Sequence, residues 1–413
     1  MPGTILHVLS QRPSLTGSGV ALDALVRHAD RDGWRQAVVV GVPAAETAPA
    51  VGGLPSDRIR PLRFGGGALP YPVPGMSDVM PYRSTRFSSL DEAQLEGYRA
   101  AWRGHLLDVI ADVRPDVIHA HHVWLVGALL KDVAPAVPVV THCHATGFRQ
   151  MALCPHLAYE VREGVRRNDA FCVLHQGHAA ELANILDVAP ERIHVVGNGY
   201  REDLFHAAGA TGGRAGQVLY SGKSSDAKGV PWLLDAVERL GAERPGLTLH
   251  MAGGGTGEQA ERIHRRVAEL GALVRHHGQL SQAELAELMR GCAVCVLPSF
   301  YEGVPLVLVE ALASGCRLVS TRLPGVLDRL APTLGRAMEL VDLPRLEAVD
   351  VPHAPDLPRF TDDLAAALER ALDAPPLDAG SAWFASALAP FTWGRVYDRV
   401  ARLWRELLER PTA

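Results

Sequence analysis

With 413 residues the chain is long enough for two domains of about 200 residues each. Its 41 basic and 46 acidic residues are interspersed and leave a net charge of −5, which argues against a nucleic-acid protein that relies on a bulk positive field. No apolar run reaches the roughly 18 residues of a transmembrane helix. The six scattered cysteines fit a reduced, cytoplasmic setting. The first residues, Thr4–Leu9, read as a strand rather than a secretory leader.

Apolar runs and helical patterns alternate along the chain, the pattern of parallel sheets covered on both faces. The first half predicts strands at Ile5–Leu9, Gln36–Val40, Val117–His119, Val137–Thr141, Ala170–Leu174 and Ile193–Val196. Helices are expected between them at Gly19–Asp30, Glu92–Val113, Trp124–Lys131, His156–Arg167 and His178–Leu186. The second half predicts strands at Gln217–Ser221, Leu247–Met251, Leu273–His276, Ala293–Leu297, Arg317–Ser320 and Ala337–Leu340. Its helices are expected at Val230–Leu240, Gly257–Leu270, Ala283–Arg290 and Val307–Ser314. Glycines crowd Asn198–Gly216 and mark a linker between domains 1–205 and 214–385. A final amphipathic helix follows Phe391 and runs to Leu408. Leu69–Pro81 and Pro344–Pro358 are Pro-rich and irregular.

Several motifs sit where a parallel sheet holds ligands, at the C-terminal ends of its strands. Thr16-Gly17-Ser18-Gly19 joins the first strand to the first helix, where glycine lets a phosphate approach backbone amides. It lacks the third glycine of a dinucleotide fingerprint, and no acid ends the next strand, so a dehydrogenase is disfavoured. His119-Ala-His121-His122 ends one strand and His142-Cys-His144 the next. No carboxylate or cysteine set stands at matching spacing, so no metal is expected. In the second half, Lys223 and Lys228 lie in a glycine-bearing loop after a strand, suited to neutralising a diphosphate. Then comes Glu302-Gly303-Val304-Pro305-Leu-Val-Leu-Val-Glu310. Pro305 fits the first turn of a helix whose free amides and dipole favour an anion, with a carboxylate on either side. Such a site suits a ligand with phosphate in its middle and hydroxyls at both ends.

This order of motifs resembles retaining glycosyltransferases of family 4, which have the GT-B fold of two doubly wound Rossmann-like α/β domains facing across a cleft. The run from His121 to Gly127 is similar to that of family members that transfer N-acetylglucosamine in mycothiol biosynthesis. The resemblance implies that the final helix, 391–413, packs back on the first domain. It implies that His121 contacts the donor sugar, with His144 a second crevice histidine. Gly17 and Gly19 would lie near the donor diphosphate, and the backbone around Gly278 would read the base. Lys223 stands where the family has an arginine, and Lys228 matches its lysine. Lys223, Lys228, Gly303 and Val304 would then hold the phosphates, Glu302 the sugar hydroxyls and Glu310 the ribose. Arg149, with Arg83 or Arg86, is a candidate for an acidic acceptor.

The expected activity is transfer of a sugar from a UDP- or GDP-sugar to a small-molecule acceptor, with retention, without a metal or cofactor. A nucleotide-sugar epimerase or phosphorylase on the same fold, or a non-catalytic nucleotide-sugar-binding module, remains as an alternative. Oligomeric state, sugar, base and acceptor are not encoded in these motifs.

Overall fold

The computed structural model describes residues 3–13, 16–47, 49–77, 80–208 and 214–409. Its contacts divide into two units, Met1–Gly197 with Trp393–Ala413, and Asn198–Thr392. The division falls at Gly197, earlier than the boundary at 205 expected from glycine density. Gly209, Gly212 and Gly213 of that stretch lie outside the described residues.

The first unit is a seven-stranded parallel sheet. Its strands are β1 (Thr4–Leu9), β2 (Arg35–Pro43), β3 (Ile59–Phe64), β4 (Val117–His121), β5 (Val139–His142), β6 (Ala170–Val173) and β7 (Ile193–Val195), in the order β3-β2-β1-β4-β5-β6-β7. β3 is a strand that apolar periodicity does not reveal. Its residues IRPLRF place two arginines and a proline in an edge strand, which pairs on one side only. Alternation along β1 sends Leu6 and Val8 to one face and Ile5 to the other, so both faces are buried. The Trp393–Glu409 helix covers the Ile5 face beside the Gly17–Arg31 helix, through Tyr397, Val400, Trp404 and Leu407.

The second unit repeats the plan. β8 (Arg214–Ser221), β9 (Thr248–Ala252), β10 (Val274–Gly278), β11 (Cys292–Leu297), β12 (Arg317–Thr321) and β13 (Met338–Val341) run in the order β10-β9-β8-β11-β12-β13. Residues 344–358, expected to be irregular, hold a small antiparallel hairpin of Leu346–Ala348 and Val351–Pro352. The amphipathic Leu357–Asp373 helix follows and buries Phe360, Leu364 and Leu368. Among the described residues, no helix is long and apolar enough to cross a membrane.

Candidate functional site

In the second unit, β8 lies where the strand order reverses, with β9 on one side and β11 on the other. The loops after β8 and β11 therefore diverge from one point on the C-terminal edge, the place where open parallel sheets take ligands. These loops are stitched together. Phe300 N–H donates to the Ala227 carbonyl at 3.0 Å, and Gly229 turns with φ of 68° where a Cβ would strike the Pro298 carbonyl. The loop after β9 joins them: Ser224 N–H donates to Gly254 at 3.1 Å, and Gly253 N–H donates to Gly278 at 2.7 Å. Gly253, at φ of 115°, has no room for a side chain against the Gly222 carbonyl.

The charges converge on this edge. Lys228 Nζ lies 2.5 Å from Glu302 Oε1, with each side chain 22% exposed, and also donates to the Tyr301 carbonyl at 3.4 Å. Ser299 Oγ donates to the same Glu302 oxygen at 3.0 Å, and Thr321 Oγ1 holds the Ser299 carbonyl at 2.6 Å. Lys223 is half-buried; its carbonyl accepts from the buried Tyr220 hydroxyl at 2.7 Å. Burial and the nearby Glu302 carboxylate push the Tyr220 phenol up, so it remains a donor.

The helix after β11 spans Leu306–Ala313, with Pro305 at the capping position rather than inside the first turn. The Gly303 and Val304 N–H groups find no hydrogen-bond acceptor among the described residues. Glu310 lies on the second turn, buried, and its carboxyl has no hydrogen-bond partner among those residues. Burial raises its pKa to about 7. The edge thus offers two lysines, two open amides and two carboxylates of different character, one ion-paired and half-exposed, the other buried.

In the first unit, period-two alternation puts His119 and His121 of β4 on one face with His142 at the end of β5. His121 pairs in register with His142, and His7 of β1 with His119. His144 follows two residues beyond β5. His121 Nδ1 is 3.1 Å from His144 Nε2, and these rings stack with 5° between planes. His142 stacks on His144 at 4.4 Å between centroids. Trp404 Nε1–H donates to His119 Nδ1 at 3.0 Å. Burial lowers the basicity of all these rings, that of His7 and His142 to about 4, so the cluster is neutral.

His122 and Ala145, at the ends of the same two strands, adopt left-handed backbone with φ of 84° and 68°. Non-glycine residues held there mark strain of the kind that gathers at functional edges. His122 is tied down by its N–H to the His142 carbonyl and by Nδ1 to the Thr146 hydroxyl at 3.0 Å. Arg149 is half-buried on the adjacent Thr146–Leu153 helix, whereas Arg86 is exposed. The glycine loop is committed differently from a free phosphate cradle. The Gly17–Arg31 helix begins with Thr16 Oγ1 capping Gly19 N–H at 3.2 Å, and Gln11 donates to both Thr16 and Ser18. Gly17 is exposed.

One nitrogen from each of His119, His121 and His142 lies within 4.8 Å of the other two, close enough to suggest a metal. The donor set argues otherwise. An indole N–H can only donate, so His119 accepts at Nδ1 and carries its proton on Nε2. A metal-bound histidine needs the reverse, with its outer nitrogen protonated and donating. The Cys292 and Cys295 pair is buried, and burial pushes the Cys292 thiol up to about 12, far from a metal-binding thiolate. Sequence reasoning marked both His-x-His repeats but gave His119, His142, Trp404 and Tyr220 no role. The only signal for the first two was that repeat on strands that turn out to be neighbours.

Residues 16–199 match the Glycosyl transferase 4-like domain, and residues 215–340 match Glycosyl transferases group 1. A glycogen synthase of Mycobacterium tuberculosis is 32% identical over 238 residues, 55% of this chain and 57% of that protein. The chain thus spans little more than half the length of that curated relative. A D-inositol 3-phosphate glycosyltransferase of Thermobispora bispora is 29% identical over 363 residues, covering 78% of this chain and 79% of its own. Among solved structures, the sucrose-phosphate synthase of Thermosynechococcus elongatus shares the fold with a TM-score of 0.73 at 18% identity, over 98% of this chain and 99% of that one.

Proposed function

We propose, from the premise that this chain belongs to the group 1 glycosyltransferases with the GT-B fold, that it moves a sugar from a nucleoside diphosphate sugar to a small-molecule acceptor with retention at the anomeric carbon. The observation that carries this reading is the edge of the second sheet, where Lys228, the open Gly303 and Val304 amides and the buried Glu310 stand together. The diphosphate lies against the amides and lysines. Glu310 receives ribose hydroxyls, and Glu302 receives sugar hydroxyls.

In the proposed step the bond from the sugar C1 to the phosphate oxygen breaks, and the acceptor oxygen bonds to C1 on the same face. The acceptor's proton passes to the departing phosphate oxygen. Negative charge grows on the diphosphate during this step, so Lys228 and the amides act where charge develops. No residue is needed as a nucleophile, and two lysines supply the charge that a metal would otherwise carry. His121 is buried, with its Nδ1 against His144 Nε2, so any part it plays runs through His144. Because a relative acts on D-inositol 3-phosphate, phosphorylated polyols are the first acceptors to try.

The test is product analysis by NMR after incubation with UDP- and GDP-sugars, with and without acceptor and free phosphate. The reading expects nucleoside diphosphate release that depends on acceptor, and a product whose anomeric configuration equals the donor's. Isomerised donor without acceptor points to an epimerase, and phosphate-dependent cleavage to a phosphorylase. Tight donor binding without turnover over many acceptors points to a binding module.

A further inference from the structure

Five buried or half-buried imidazoles share the sheet face covered by the Trp393–Glu409 helix, and their protons cannot be placed independently. Trp404 Nε1–H donates to His119 Nδ1 at 3.0 Å, so neutral His119 is protonated at Nε2. On the far side, His7 Nε2 lies 3.1 Å from Gln36 Oε1. An amide oxygen only accepts, so His7 is protonated at Nε2 and turns a lone pair inward from Nδ1.

His119 Nε2 and His121 Nε2 are both buried and without partners among the described residues. The His121 ring lies nearer to His119, at 5.1 Å between centroids, than to His7, at 6.5 Å. One nitrogen each of His119, His121 and His142 lies within 4.8 Å of the others, and two N–H groups that close repel each other in low dielectric. His121 therefore keeps its lone pair on Nε2 and its proton on Nδ1. That nitrogen is 3.1 Å from His144 Nε2, so His144 accepts there and is protonated at Nδ1. His144 Nδ1 lies outside the set of buried unpartnered atoms, on the half-buried outer member of the chain.

We propose that Trp404, acting through His119, fixes the proton positions along His119, His121 and His144, so that the chain ends in an outward N–H donor at His144 Nδ1. That donor selects an oxygen acceptor, a sugar hydroxyl or a phosphate oxygen, and excludes a cation. Trp404 and His119 are positioning residues, acting through His121 and His144. The groups facing His121 are His7 from β1, His119 from its own strand, and His142 and His144 from the end of β5; burial and these neighbours keep it neutral. The identity of the ligand rests on the glycosyl-transfer reading, whereas the proton positions do not.

The experiment is long-range proton–nitrogen NMR on full-length protein labelled with 15N-histidine, with assignments from single variants. The expected spectrum has His119 protonated at Nε2 and both His121 and His144 at Nδ1. In Trp404→Phe, His119 should lose its single-tautomer signature. Native His121 or His144 protonated at Nε2 would overturn the proposal, and the native spectrum decides even where the tryptophan variant does not fold. A kinetic comparison separates the donor position: His144→Asn places an amide near Nδ1, and His144→Gln places one near Nε2. His144→Gln should raise KM for one substrate by roughly five- to tenfold with little change in kcat, and His144→Asn by less, as expected for loss of one neutral hydrogen bond. Equal losses in both would overturn the donor assignment. The spectra need no substrate, so they stand or fall separately from any activity.

Discussion

The two units carry parallel sheets of the same strand order, seven strands in the first and six in the second, with the reversal beside the first strand of each, yet they place opposite chemistry at that edge. In the second unit the edge is charged and half-open: Lys228 and Glu302 pair with 22% of each side chain exposed. In the first it is neutral and closed: His119, His121 and His142 are buried and held by an indole and by one another. A fold repeated twice therefore does not dictate what its edge does. In the proposed reaction, the charged edge would meet the leaving group as its charge develops, and the neutral edge would orient hydroxyls.

The largest expected effect is on the charged side. Lys228→Ala should lower kcat by roughly a hundredfold or more, the scale for removing one group that stabilises transition-state charge. Glu302→Ala should lower turnover by a similar factor while melting little changed, because a half-exposed ion pair contributes only about 1 kcal/mol. Near-native rates in either variant, measured at saturating donor, would move catalysis away from this edge.

Glu310 sharpens the comparison through pH. Its carboxyl, raised to about 7 by burial, holds a proton in the folded protein that the unfolded chain releases near its ordinary value of 4.5. The stability linked to that proton is complete below the unfolded value and is lost as pH rises through about 7. Glu310→Gln should accordingly raise Tm at pH 8 by up to about 10 °C, on the scale of roughly 2–4 °C per kcal/mol for units of this size, and by little near pH 4.5. The same variant should weaken donor binding, since an amide replaces one acceptor with a donor. A Tm difference independent of pH would show that Glu310 is not the titrating group. The smallest expected effect is that of a chelator: EDTA should leave turnover unchanged, and a strict manganese requirement would contradict the two-lysine account.

Much of this was legible in the sequence. Alternating apolar runs gave both doubly wound sheets, and the motifs fell at strand ends because Gly, Lys, His and Glu punctuate those runs. β3 reads as polar because an edge strand tolerates Arg60, Pro61 and Arg63. The Leu357–Asp373 helix hid behind a run of prolines. The partnership of Trp404 with His119 joins residues 285 positions apart, and no local pattern signals it. Nor does spacing reveal that Thr16 caps Gly19, or that Lys228 and Glu302 meet, since each depends on how neighbouring loops close.

Calorimetric titration of the full chain with UDP and GDP in the presence of EDTA tests most directly whether the second-unit edge holds a diphosphate. The account predicts one site for at least one of the two nucleotides, weakened tenfold or more by Lys228→Ala. Failure of both to bind, or binding that Lys228→Ala leaves unchanged, would contradict it.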